Sequence, residues 1–250
     1  MKRGGKQRLD LALVERQLVD SREKGQALIL AGKVLVDGQR ADKPGTAIDP
    51  HARVEVEQPL KYVSRGGLKL EAALSGFGIS VDGKLCIDVG TSTGGFTDCL
   101  LQHGAARVHA VDTGAGQIDW RIRTDHRVVL HERLNARYLK FDDIGETVDL
   151  IACDVSFISV TLLIPALAPL LKPSGDWVLL VKPQFEVGRE RVGAGGIVRD
   201  PTAHQFACER VTKALRDSGF ITEIIDSPIL GAEGNREFLL HGRQRARASN

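Results

Sequence analysis

The chain has 250 residues, 42% apolar and 26% charged, with a net charge of +2. That composition fits a folded protein with one large domain, or one domain and a small module. No stretch supplies the roughly 20 apolar residues a membrane helix needs, and the basic start MKRGGKQRLD leads into no apolar signal core, so the expectation is a cytoplasmic protein. Cys86, Cys99, Cys153 and Cys208 have no C-x-x-C spacing, which argues against a zinc site or a disulfide framework, and no metal is expected.

Charge is uneven along the chain. Residues 1–61 hold 12 Lys+Arg against 9 Asp+Glu, a balance of +3. A second basic patch closes the chain in HGRQRARASN, with Arg243, Arg245 and Arg247. This asymmetry permits a polyanionic partner without demanding one. Up to about Pro59 the chain is compact and turn-rich. Within it, DSREKGQALILAGK predicts a helix with Asp20 or Ser21 as N-cap and Gly32 at its end, and Asp37-Gly38 predicts a tight hairpin turn. Arg8, Arg22, Lys24, Lys33 and Arg40 are candidates for a phosphate-binding face; the competing reading is an ordinary solvated charged surface.

The stretch QPLKYVSRGGLKLEAALSGF then predicts a turn at SRGG and a helix at LKLEAAL. From Lys84 onward, short apolar strands alternate with helices. The strands are KLCIDV, RVHAVD, RVVLHE, DLIACD, WVLLVK, FITEIID and REFLLHG. The helices include Phe96–His103, Val160–Leu171 and His204–Ser218. Alternation of this kind predicts an α/β doubly wound sheet. SPILGAEGN is too short to hold a crossover helix, so the last two strands should be antiparallel neighbours. The glycine-rich, charged segment Glu186–Asp200 is expected to be a mobile loop over the site.

Two features carry chemistry. CIDVGTSTGGF follows the first strand and opens a helix, the position where a βα turn holds a nucleotide-like ligand. Its spacing is neither the dinucleotide G-x-G-x-x-G nor a phosphate-binding G-x-x-x-x-G-K-[ST]. Asp112 ends the second strand 22 residues after Gly90, where an acid accepts hydrogen bonds from ribose hydroxyls. Loop and acid together suit an adenosine without a pyrophosphate, and S-adenosylmethionine fits. The second feature is a charged quartet. Asp154 and Lys182 end apolar strands, Glu237 begins an antiparallel one, and Lys69 lies on the leading helix. A lysine in such a crevice can act as a base or stabilise an alkoxide, with carboxylates holding it in place.

These residues resemble the FtsJ-like ribose 2′-O-methyltransferases and their Lys-Asp-Lys-Glu tetrad over roughly Tyr62–Gly242. The strings SRGGLKL, DVGTSTGGFTDCLL, CDVSFIS, VKPQFE and GNREFLL resemble the TlyA-type ribosomal RNA methyltransferases, a group that also carries the label hemolysin. RLDLALVERQLVDSREKGQALILAGKVLVDGQRADKPGTAI resembles the S-four-type RNA-binding domain. The resemblance implies a Rossmann-like class I methyltransferase sheet, mostly parallel with an antiparallel last strand, behind a small α+β module. It divides the chain into residues 1–59 (RNA-binding), 60–66 (linker), 67–243 (methyltransferase) and 244–250 (basic tail). Lys69, Asp154, Lys182 and Glu237 would be catalytic. Asp88, Gly90, Ser92, Thr93, Gly94, Gly95, Phe96, Asp112 and Asp154 would bind S-adenosylmethionine. Arg65 joins the five basic residues of the module as an RNA contact. The implied reaction is methylation of a ribose 2′-hydroxyl, of a cytidine, in ribosomal RNA or ribosomal subunits. Two other readings compete. A catalytically silent assembly factor is disfavoured by the intact tetrad. A membrane-lytic protein is disfavoured because the basic helix and tail lack a strongly apolar face.

Overall fold

A computed structural model of the chain describes residues 5–57, 60–231 and 233–244. The chain divides into two compact units, Met1–Leu60 and Lys61–Asn250.

In the first unit β1 (Gln7–Arg8) leads into α1 (Leu9–Glu15) and then α2 (Arg22–Leu30). Ser21 caps α2, its hydroxyl accepting from the Lys24 amide at 3.2 Å, and Gly32 leaves the helix with φ 66°. β2 (Val34–Val36) turns into β3 (Gln39–Arg40) through Asp37 and Gly38, both at positive φ, the conformation a two-residue type I′ hairpin requires. β4 (Ala47–Ile48) pairs with β1, and β5 (Val54–Val56) with β2, both antiparallel. Leu9, Leu13, Ile29 and Val34 are fully buried, each side chain stabilising the unit by about 1.5–3 kcal/mol.

The second unit opens with α3 (Gly66–Phe77), followed by β6 (Leu85–Val89), α4 (Gly95–Gln102), β7 (Arg107–Val111), α5 (Trp120–Arg123) and β8 (Val128–His131). Then come α6 (Phe141–Ile144), β9 (Val148–Cys153), α7 (Ile164–Leu167), β10 (Leu171–Val181) and α8 (Pro183–Glu186). α9 (Pro201–Asp217), β11 (Phe220–Asp226) and β12 (Phe238–Gln244) complete it. The seven strands lie in the order β11-β12-β10-β9-β6-β7-β8. β12 is antiparallel to both its neighbours, as the short connection requires, and sits between β11 and β10. Alternation along β10 sends Trp177, Leu179 and Val181 to one core, and Val178 and Leu180 to the other. Helices therefore cover both faces, and the strand reads as a continuous apolar run. Cys86 and Cys153 are buried within β6 and β9, and burial pushes both thiols up, Cys86 to about 12.

Register sets the functional edge. Val89 is opposite both Val111 and Cys153, and Val181 is opposite Phe238. The carboxyl ends of β6, β7, β9 and β10 and the start of β12 thus share one side of the sheet.

Several expectations need correction. Val160–Leu171 is not one helix: a 3-10 turn at Val160–Leu162, α7 and a second turn at Ala168–Leu170 replace it, and Leu171 already belongs to β10. Pro165 and Pro169 lack the N–H an unbroken helix needs. Within the expected linker, residues from Lys61 onward belong to the second unit. Tyr62 is buried, Val63 donates to Asp98 at 2.8 Å, and α3 begins at Gly66. Gly67 makes room for the Tyr62 ring, which an added Cβ would meet at 2.3 Å. Glu237 precedes β12 by one residue, and β12 runs to Gln244; Arg245 and Arg247 of the expected tail lie outside the described residues. The segment Glu186–Asp200 is pinned at several points. Glu186 and Val198 are buried, Val198 donates to Asn235 at 2.9 Å, and His204 Nε2 lies 2.8 Å from the Val198 carbonyl.

Candidate active site

The loop after β6 is shaped by close approach. Gly90 has φ 85°, and a Cβ there would come within 2.3 Å of the Asp154 carbonyl oxygen, so only glycine fits. Gly94, at φ 97°, starts α4 and packs against Ile118 and Ile122. Asp88 is fully buried, its Oδ2 accepting from Thr97 N at 3.0 Å and Thr97 Oγ1 at 2.6 Å. It thereby ties α4 to the end of β6. Burial pushes its carboxyl up to about 7, as desolvation disfavours the anion. Asp88 and Gly94, both expected to bind cofactor, are absent from the lining of the clefts and act as supports. Asp112 closes the loop: Oδ2 accepts from Ser92 N at 2.8 Å and Oδ1 from Gly114 N at 2.7 Å. Each oxygen keeps a further lone pair.

A cavity of about 470 Å³ opens beside this loop, lined by Gly90, Ser92, Asp112, Gln117, Asn135 and Leu134 among others. Its size falls within the range of small-ligand sites, roughly 300–1,000 Å³. Gln117 and Asn135 stand in irregular connections and carry no motif that sequence reading could seize on.

A second lobe of about 290 Å³ shares Gly90, Ser92, Asp154 and Ser156 with the first and brings the quartet together. Lys182 Nζ lies 2.6 Å from Asp154 Oδ1, and Lys69 Nζ 2.5 Å from Glu237 Oε2. All four side chains are largely buried. Lys182 also donates to Ser156 Oγ at 2.9 Å. Ser64, Arg65, Thr93, Gly95 and Phe96 complete the wall. Two ion pairs, one from adjacent strand ends and one bridging α3 and the start of β12, therefore face one cleft. Buried pairs cost desolvation that their attraction does not reliably return, so stability alone does not account for two of them here.

A third lobe, about 330 Å³, shares Lys182, Ser156 and Glu237 with the second and is also lined by Phe157, Gln184, Phe185 and Glu233. Phe157 is 93% exposed, has φ 67°, and its ring centroid is 5.4 Å from that of Phe185. A phenylalanine at positive φ is strained backbone, a feature that clusters at functional sites. Behind it, Glu186 accepts from Ser159 Oγ at 2.6 Å and Val160 N at 2.8 Å, so the segment after β10 holds the segment after β9. Burial raises the Glu186 carboxyl from its ordinary value. Sequence reading used Ser156 and Phe157 only as part of a string, not as site residues.

The five basic residues of the first unit that are candidate RNA contacts each have an acidic partner within it. Arg8 and Arg22 both reach Asp10 at 2.9 Å, Lys24 reaches Asp20 at 2.7 Å, and Lys33 and Arg40 reach Glu57 at 3.1 and 3.4 Å. Their side chains are about half exposed or more. The pairs of Lys24, Lys33 and Arg40 lie at the surface and are weak, so a phosphate can displace Asp20 or Glu57, whereas Arg8 and Arg22 stay tied to the buried Asp10.

The fold and site define a Rossmann-like methyltransferase behind a small nucleic-acid-binding module. Residues 62–244 match the FtsJ-like methyltransferase family and residues 7–54 the S4 domain; the chain belongs to the FtsJ-like methyltransferase family. It is 45% identical over 236 residues to the 16S/23S rRNA (cytidine-2′-O)-methyltransferase TlyA of Mycobacterium tuberculosis, covering 93% of this chain and 88% of that protein. It is 43% identical over 237 residues to Hemolysin A of Brachyspira hyodysenteriae, covering 94% and 98%. A solved structure of a hemolysin-named protein from Streptococcus thermophilus matches with a TM-score of 0.74 at 44% identity, covering 97% of this chain and 90% of that one. Membership implies S-adenosylmethionine as methyl donor. Among the described residues, no helix is long and apolar enough to cross a membrane.

Proposed function

We propose that this protein transfers a methyl group from S-adenosylmethionine to the 2′-hydroxyl of a cytidine ribose in ribosomal RNA. The observation that carries the reading is Lys182, held against Asp154 where the second and third lobes meet.

The residues of the first lobe fit the cofactor. The glycine-only approach at Gly90 leaves room for a ligand against the backbone, and Asp112 retains acceptor capacity for two ribose hydroxyls. Ser92 lines the same lobe, and the Gly95–Phe96 start of α4 borders it from the adjoining second lobe. When bound, S-adenosylmethionine supplies an electrophilic methyl on a sulfonium that leaves as a neutral thioether. The protein's part is then to orient a weak nucleophile and remove its proton. Lys182, in its neutral form, takes that proton at Nζ. Asp154 holds Lys182 in place, and the Lys69–Glu237 pair walls the cleft on which the ribose docks. Phe157 offers an exposed aromatic face to the base of the target nucleotide, a contact typical of unstacked RNA bases. Arg65 at the cleft wall, with Arg8, Arg22, Lys24, Lys33 and Arg40 of the S4 domain, contacts RNA phosphates. This supports a substrate of ribosomal RNA or ribosomal subunits.

The test is transfer of labelled methyl to ribosomal subunits that lack the modification, followed by digestion to nucleosides. Recovery of label in 2′-O-methylcytidine is the expected result. Label on a base, or none at all with bound cofactor, overturns the reading.

A further inference from the structure

We propose that Ser156 is a positioning residue for Lys182; the inference rests on the reading of Lys182 given above. Lys182 leaves β10 on a stem four carbons long, and such a stem has many rotamers. Two groups hold its head. The Asp154 carboxylate is 2.6 Å away, and the Ser156 hydroxyl accepts from Nζ at 2.9 Å. The two partners differ in kind. An ionised carboxylate only accepts, whereas a hydroxyl both accepts and donates. Ser156 keeps its hydrogen bond to Lys182 whether the amine carries its third proton or has lost it, because the neutral amine retains two N–H donors for Asp154 and Ser156 and its lone pair stays free. Asp154 and Ser156 together occupy two directions around Nζ and leave the remaining one for the ribose hydroxyl.

The location agrees with this role. Ser156 lines all three lobes, a property it shares with no other described residue of their walls. It is solvent-exposed, so its hydroxyl is not there to satisfy a buried core. The segment that carries it is fixed from behind by Glu186, through Ser159 and Val160, and strained at Phe157, so the hydroxyl is held at a defined place.

The experiment compares Ser156→Ala, Ser156→Thr and Ser156→Val with wild type and with Lys182→Ala, using full-length protein, labelled S-adenosylmethionine and unmodified ribosomal subunits. Ser156→Ala and Ser156→Val are expected to lower kcat by about tenfold to a hundredfold, the scale of losing alignment at a reacting group. KM for the subunits and the Kd for S-adenosylmethionine stay within about twofold, because uniform binding is untouched. Ser156→Thr restores most of kcat, since it returns the hydroxyl on the same branched frame as valine. Valine and threonine variants of equal kcat overturn the proposal, as does an alanine variant with wild-type kcat. If Lys182→Ala itself retains wild-type kcat, the reading of Lys182 fails first; if it is inactive while all three Ser156 variants are normal, only the role of Ser156 fails.

Discussion

The two units of this chain each remove one aspartate entirely from solvent, and they do opposite things with it. Asp10 in the first unit receives Arg8 Nε and the Leu11 amide at one oxygen, and Arg8 Nη2, Arg22 and Gln26 at the other. Hydrogen bonds from Arg8, the largest cause, hold its carboxyl well below the usual range. Asp88 in the second unit has, among the described residues, only Thr97, on one oxygen, and burial pushes it up to about 7. The lesson is that burial alone does not decide whether a carboxyl is charged; the donors around it do. The same contrast extends to the lysines and arginines. In the first unit cations close around internal acids on an exposed face. In the second, Lys69 and Lys182 are paired just as tightly but turned toward a cleft.

The largest way to break the comparison is Asp10→Asn. An amide cannot satisfy two arginines, so the first unit should lose about 2–3 kcal/mol at pH 7, measured by denaturant unfolding. Because the folded-state pKa is depressed, the lost contribution is one that exists above the ordinary aspartate value and disappears as pH falls through the folded one. The gap between variant and wild type should therefore close toward strongly acidic pH; a gap independent of pH contradicts the account.

Asp88→Asn should give a smaller effect of opposite sign. A raised pKa means the folded state holds a proton the unfolded chain has released, so wild-type stability falls as pH rises from about 4 to about 7. Asparagine resembles the protonated acid. The difference in Tm between Asp88→Asn and wild type should grow in favour of the variant across that window, and a flat difference would remove the proposed burial effect. The smallest effect is expected at Lys24→Ala, where an exposed pair is lost: stability should change by less than about 0.5 kcal/mol, while binding to ribosomal RNA weakens and its salt dependence becomes shallower. Unchanged binding and slope would leave Lys24 a surface charge and nothing more.

Much of the site was legible because strands end in charge. Apolar runs that terminate in Asp154 and Lys182 can be read as a sheet edge without a structure, and the nine-residue connection before the last strand correctly turned Glu237 to that same edge. The helix caps at Ser21 and Gly32 and the Asp37-Gly38 hairpin are local chemistry and were equally readable. What escaped depends on partners distant in sequence. The Lys69–Glu237 pair spans 168 residues; resemblance, not spacing, pointed to it. Asp88 lies beside the glycine loop in sequence but turns inward to Thr97. Gln117 and Asn135 reach the cofactor lobe from loops without a pattern. The helix expected over Val160–Leu171 failed for a reason present in the sequence, the two prolines.

The central claim is that Lys182 removes the proton from a ribose hydroxyl while the cofactor site stands without it. The most direct measurement is single-turnover methyl transfer to unmodified ribosomal subunits by Lys182→Ala, alongside S-adenosylmethionine binding by calorimetry. The account predicts a rate lower by at least about a hundredfold, the scale of positioned general-base catalysis, with cofactor affinity within about twofold of wild type. A variant that binds cofactor normally and methylates at the wild-type rate would contradict it.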